Sequence, residues 1–222
     1  MNPMRRILLL VMPPLLLLGG CSSLLTVQRA PFTIYSPSYT ATSSAGPHVD
    51  WQLMVETPLA SDTLDTARML VMPTPGVLEV FPAARWRDTA PALLRSIVVQ
   101  GFENSGRILG VGSATSGLHA DLALAIDLRD FQLEATGGAA QAAVRFQARL
   151  LDYTTNRVLA THAFAVQTPA AGNDAASAFA AFEAALNTVV PQLVDWTLEQ
   201  GTAARGTGAP RGDSPQPAQR RQ

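Results

Sequence analysis

Asp121-Leu122-Ala123-Leu124-Ala125-Ile126-Asp127, continued through Phe131 and Leu133, is the stretch whose reading decides the fold. Leu122, Leu124 and Ile126 alternate with Ala123, Ala125 and Asp127, the period of a strand with one buried face. Gly137-Gly138 turns the chain into Ala140 to Leu151, where Val144, Phe146, Ala148 and Leu150 alternate with Arg145, Gln147, Arg149 and Leu151. Asp152 to Asn156 turns it again into Val158 to Val166. Three long strands in a meander, apolar on one face and polar on the other, predict an antiparallel sheet covered on one side.

Upstream, Val49, Trp51, Leu53 and Val55 alternate with Asp50, Gln52, Met54 and Glu56, a further strand ended by Thr57-Pro58. Arg68 to Met72 and Val77 to Phe81 flank Thr74-Pro75-Gly76, which reads as a hairpin. Asp88 is the expected N-cap of a helix carrying Pro91 in its first turn and Leu93, Leu94, Ile97, Val98 and Phe102 on one face, stopped by Gly106. Arg107 to Val111 reads as a strand. Downstream, a helix over 175–199 places Phe179, Phe182, Leu186, Val189, Val190, Leu193 and Trp196 on one stripe, with Pro191 expected to kink it. The fold class expected is α+β: a mostly antiparallel sheet of about six to seven strands with two helices packed on one face.

Residues 1–20 have the order of an export signal: Arg5 and Arg6, an apolar stretch from Ile7 to Leu18 broken by Pro13 and Pro14, then small residues. That stretch is too short to span a bilayer, which needs about 20 apolar residues in a helix. Leu18-Gly19-Gly20-Cys21 resembles the lipobox of bacterial lipoproteins, so cleavage before Cys21 and acylation of its thiol are expected. Cys21 is the only cysteine, which excludes an internal disulfide and any Cys-based zinc site. Ser22 stands where an aspartate would resemble an inner-membrane retention signal, which favours the outer membrane. Residues 21–48, rich in Ser, Thr, Pro, Ala and Gly, read as the lipidated N-terminus and a flexible tether, although Phe32-Thr33-Ile34-Tyr35 alternates as a short strand would. Residues 49–200 are expected to form a single domain and 201–222 a disordered tail, in which Arg211-Gly212-Asp213 is read as a chance match to an adhesion tripeptide.

Loss of Arg5 and Arg6 leaves 14 basic residues, all arginine, against 17 acidic ones. A net charge near −3 argues against nucleic-acid binding, which rests on clustered cations. Catalytic patterns fail one by one. Gly110-Val111-Gly112 lacks the third glycine of a dinucleotide loop, and there is no lysine for a phosphate loop. His48, His119 and His162 are too dispersed for a local metal motif. A periplasmic serine hydrolase using Ser113 or Ser116 with His119 near Asp121 is the enzyme alternative, without a nucleophile elbow. Asp127, Asp130 and Glu134 invite an acid–base reading, against which stands simple solvation on the polar face of a strand. A stand-alone lipid-binding lipoprotein is a third reading. No cofactor or metal is expected.

The region 32–198 resembles the ABC-type transport auxiliary lipoprotein family. The resemblance is carried by Phe32-Thr33-Ile34-Tyr35, Leu64-Asp65-Thr66-Ala67-Arg68-Met69, Val80-Phe81-Pro82-Ala83-Ala84-Arg85-Trp86, Asp121-Leu122-Ala123-Leu124 with Asp130-Phe131, and the closing helix near Trp196. Phe81 departs from a Tyr common in that strand, and the Arg-Gln-Pro tail has no counterpart. The resemblance implies a non-enzymatic accessory lipoprotein at the periplasmic side of the outer membrane. Its implied partners are the membrane, through the lipid anchor, and a periplasmic mammalian-cell-entry-type protein of an ABC lipid transporter; a homo-oligomer stays open. Arg85 and Trp86 follow a strand-end turn, and these residue types often anchor partners. The alternative is that Trp86 packs into the core and Arg85 pairs with an acid.

Overall fold

The computed structural model describes residues 31–41, 45–113 and 117–206. Among them the elements follow in the order β1 (Thr33–Tyr35), β2 (Val49–Val55), β3 (Arg68–Thr74), β4 (Val77–Trp86), α1 (Ala90–Ser105), β5 (Ile108–Gly112), β6 (Leu122–Glu134), β7 (Gln141–Asp152), β8 (Val158–Pro169) and α2 (Ala175–Gly206). The meander β6–β7–β8 is antiparallel along its whole length, with Leu128, Phe146 and Phe164 in one row across it.

The other edge of β6 is shared. β2 pairs with Leu122–Leu124 and β3 with Gln132–Glu134, both parallel to β6, and Leu59 bridges to Asp127 between them. β5 adds to β2 and β1 to β4, again parallel, while β3 and β4 form the expected hairpin. The expectation of a mostly antiparallel sheet of six to seven strands is thus corrected to a mixed sheet of eight. The cause is the length of the connections. Parallel neighbours need a crossover of a dozen or so residues, and both the 56–67 segment and α1 supply one.

β4 contains an irregularity that strict alternation does not anticipate. Phe81, Ala84 and Trp86 are all buried, although 81 and 84 have opposite parity. Ala83 takes a left-handed φ of 55°, and the register slips between Arg68 and Leu70 on the partner strand, so a bulge absorbs the extra residues.

Both helices lie on the sheet, α1 over β5 and β2, α2 over β6, β7, β8 and α1. The N-cap of α1 is Thr89, without a side-chain capping bond; Asp88, the expected cap, is exposed beside Arg87. Gly106 ends α1 at φ 60°, a value that glycine adopts without steric cost. In α2, Asp174 caps the first turn through the N–H groups of Ala176 and Ser177, both 3.0 Å from Oδ1. The helix continues through Pro191 and beyond 199 to Gly206, so residues 201–206 belong to it and not to a disordered tail. Gly201 hides this continuation in the sequence by interrupting the apolar stripe. It is buried against the Trp51 indole, which a Cβ there would strike.

The core is one cluster between sheet and helices, centred on Trp86, Phe131 and Phe182. On β7, Val144, Phe146, Ala148 and Leu150 are buried, while Arg145, Gln147 and Arg149 are half-buried on the opposite face.

Candidate functional site

The segment before β2 is held to the domain. β1 pairs with β4 so that Thr33 stands opposite Ala84 and Tyr35 opposite Trp86. Tyr35 packs on Phe179 with ring centroids 5.1 Å apart. Farther along, the N–H and hydroxyl of Ser38 donate to Glu183, and the N–H groups of Thr40 and Ala41 donate to Asn187 Oδ1, each at 2.9 Å. Residues 32–41, read from composition as tether, are therefore fastened to α2, and the short strand that Phe32–Tyr35 suggested is β1.

This fastening separates the two residues singled out as partner contacts. Trp86 is 2% exposed, its ring edge-on to both Phe131 and Phe182. It is a core residue, and its burial removes it from any partner surface. Arg85, one position on, faces outward, with its guanidinium 4.8 Å from the centroid of Phe32. That is a cation–π distance, and no acid pairs with Arg85 among the described residues. Phe32 and Ile34, at 52% and 60% exposure, flank it. Arg85, Phe32 and Ile34 thus form one exposed, mixed apolar and cationic patch on the β1–β4 edge, of the composition that interface anchors favour.

A groove of about 600 Å³ opens between Gly46, Pro47 and Val49 on one side and Leu198 and Thr202 of α2 on the other. Arg107, 13% exposed at its side chain, bonds Asp195 across it at 2.5 Å. Beneath, burial pushes the Tyr39 phenol up from its ordinary pKa, and the Asp195 carboxylate adds to the shift. Sequence reasoning missed this groove because its walls come from three distant segments, none with a motif.

The acidic candidates are held in hydrogen bonds and ion pairs. Asp121 accepts from the N–H of Gln52 at 2.9 Å and from Arg205 at 3.1 Å, tying β2, β6 and α2 together. Asp127 pairs with Arg129. Asp130 and Glu134 share Arg145, at 3.1 and 2.8 Å. Burial pushes the Glu134 carboxyl up, but hydrogen bonds from Arg145, Gln141 and Gln167, with the charge of Arg145, outweigh it and hold the group below the ordinary carboxylate range. Ser113 follows β5 and His119 precedes β6, while Ser116 lies outside the described residues. His48 is in a loop, and His162 stands edge-on to Phe164 and tilted against Trp196. Among the described residues no three metal-ligating side chains gather, and no helix is long and apolar enough to cross a membrane. Cys21, the export signal and Arg211-Gly212-Asp213 lie outside the described residues.

These features define a two-layer α+β scaffold that presents an exposed edge and a groove, its acidic clusters taken up in ion pairs. The chain belongs to the family of ABC-type transport auxiliary lipoprotein components, whose pattern matches residues 32–194. The crystal structure of XCC0632 from Xanthomonas campestris is similar, with 39% identity and a TM-score of 0.75, over 79% of this chain and 99% of that one. The uncharacterized protein bll6063 of Bradyrhizobium diazoefficiens is 32% identical over 147 residues. Those residues are 66% of this chain and 39% of the relative, so the match spans about two fifths of that protein's length.

Proposed function

We propose that this chain is a non-enzymatic accessory lipoprotein of an ABC lipid transport system with a mammalian-cell-entry-type component, anchored by acylated Cys21 at the periplasmic side of the outer membrane. The observation that carries the reading is the family match beginning at residue 32, a short chain length after the lipobox Leu18-Gly19-Gly20-Cys21. In this reading residues 1–20 are removed, Cys21 takes the acyl chains and Ser22 directs the product to the outer membrane. The domain docks the periplasmic component of the transporter. Arg85, with Phe32 and Ile34 beside it, is the proposed contact, because it is charged, exposed and held in place by stacking on an aromatic ring.

The test is co-purification from solubilised envelopes with the mammalian-cell-entry-type protein, for the natural chain and for Arg85→Glu. The expected outcome is co-purification by the natural chain and its loss in the variant at unchanged abundance. Absence of any such partner from the natural chain's eluate would remove the docking role.

The groove beside Arg107 and Asp195 favours one second reading, a lipoprotein that binds a lipid by itself. Mass spectrometry of lipid carried through purification distinguishes it, since a docking component has no need of stoichiometric lipid.

A further inference from the structure

The turn segments at one end of the domain carry no charge, with Glu79, Glu134 and Asp174 directly behind them. Met72 of β3 pairs with Glu134 of β6, and the N–H of Ala135 donates to the C=O of Met72, so the turn at Pro75-Gly76 stands beside the β6–β7 turn. Gln141 pairs with Pro169, and the N–H of Ala170 donates to the C=O of Ala140, which brings the end of β8 to the same place. The three segments that meet there, 73–78, 135–140 and 168–172, contain no Asp, Glu, Arg or His. The opposite end, where β6 begins and β7 finishes, holds Asp121, Asp152, Arg157 and Arg205.

The hairpin tip at this end is bare, and Glu79 is the one charged residue among its exposed positions 77–80. Val77, Leu78 and Val80 are 46%, 40% and 41% exposed. Successive strand residues point to opposite faces, so Val77 and Leu78 leave apolar side chains uncovered on both sides of the ribbon. Pro75 precedes Gly76, whose φ of 82° makes the turn tight. A flat protein partner covers one face of such a ribbon. The headgroup–acyl boundary of a bilayer, into which apolar surface settles by about 5–10 Å, surrounds both.

Chain direction adds a second argument. β1 runs parallel to β4 with Thr33 opposite Ala84, so β1 is entered, at Phe32, from the side toward Val77. From Ala84 down to Val77 is roughly 20 Å of strand. The twelve residues from Cys21 to Thr33 reach at most about 40 Å, enough to let a membrane-held Cys21 and the hairpin tip meet the same bilayer.

The geometry points to the β3–β4 hairpin tip as an element that inserts into the membrane interface, the uncharged turns at that end of the domain facing the bilayer that holds the anchor. This rests on the reading of Cys21 as the acylated residue. It goes further by giving the domain a fixed orientation on lipid.

The test uses the acylated full-length chain carrying Leu78→Cys, labelled with an environment-sensitive dye and reconstituted in phosphatidylethanolamine–phosphatidylglycerol vesicles. Cys21 is the only other cysteine and, once acylated, does not react with the dye. Thr154→Cys, on the exposed β7–β8 turn, is the control. Blue-shifted emission at position 78, quenched by spin-labelled lipid far more strongly than at position 154, is the expected result. Three outcomes overturn the proposal. A water-exposed label at position 78 on protein that floats with the vesicles sinks it while leaving the anchor intact. A label that is shielded but unquenched by lipid means that a second copy or another protein covers the tip. Failure of the chain to float at all removes the anchoring reading and the proposal together.

Discussion

The indole of Trp86 stands edge-on to the ring of Phe182, centroids 5.2 Å apart and planes at 88°, so the last residue of β4 is locked to α2. Phe131 of β6 stacks on the same Phe182 at 4.8 Å, making the trio the joint between sheet and helix. Truncating a buried aromatic leaves a cavity, and Trp86→Ala is expected to cost about 3–5 kcal/mol. Arg85→Ala, on the surface, is expected to cost less than about 1 kcal/mol. Urea unfolding of the two variants reads the difference directly, and equal losses would contradict the assignment of the pair to core and surface.

Helix α1 approaches α2 closely because Gly101 has no side chain: a Cβ there would run into Val190 Cγ1. Alanine ordinarily stabilises a helix interior by about 1 kcal/mol over glycine. Here the clash reverses the sign, and Gly101→Ala is expected to destabilise by about 1–3 kcal/mol. Adding Val190→Ala opens the space again, so the double variant should be more stable than the sum of the two single changes predicts. A double-mutant cycle by thermal unfolding measures that coupling.

Acid should loosen the domain through Glu134, whose folded pKa is held below its unfolded value. A depressed carboxyl contributes stability above the ordinary carboxylate range and loses it as pH falls through the folded value. Asp152, held down chiefly by the N–H of Thr155, acts in the same direction. Urea midpoints should therefore be flat near neutrality and fall below about pH 4, in the lower carboxylate range. Glu134→Gln should lower the neutral midpoint and flatten the acid limb.

Asn187 holds the segment before β2 by accepting from Thr40 and Ala41 and donating to the C=O of Ser38. Asn187→Ala leaves those N–H groups without their acceptor and is expected to cost about 1–3 kcal/mol. The more specific readout is hydrogen exchange: the amides of residues 40 and 41 should lose protection while those of the β6–β8 meander keep theirs.

The meander was legible because three strands with one buried face write their alternation plainly, and both helices were legible from the spacing of Leu93 to Phe102 and of Phe179 to Trp196. Which strands lie beside one another was not. A period of two fixes the face of a residue and says nothing about the direction of its neighbour, so the parallel partners of β6 went unseen. Gly201 ended the helical stripe on paper because its burial against Trp51 depends on a residue 150 positions away. The bulge at Ala83 likewise left Trp86 balanced between core and surface until its packing was known. The Leu18-Gly19-Gly20-Cys21 pattern that resembles a lipobox lies wholly in local sequence. The patch proposed for docking arises only when β1 brings Phe32 to Arg85.

An acylated Cys21 is the physical basis of the whole account, and the intact mass of the native protein from the membrane fraction tests it most directly. The predicted result is a chain that begins at Cys21 and carries the added mass of a diacylglyceryl group, with or without a further acyl chain on the amine. A chain of native sequence that is unacylated at position 21 and recovered from the soluble fraction would contradict it.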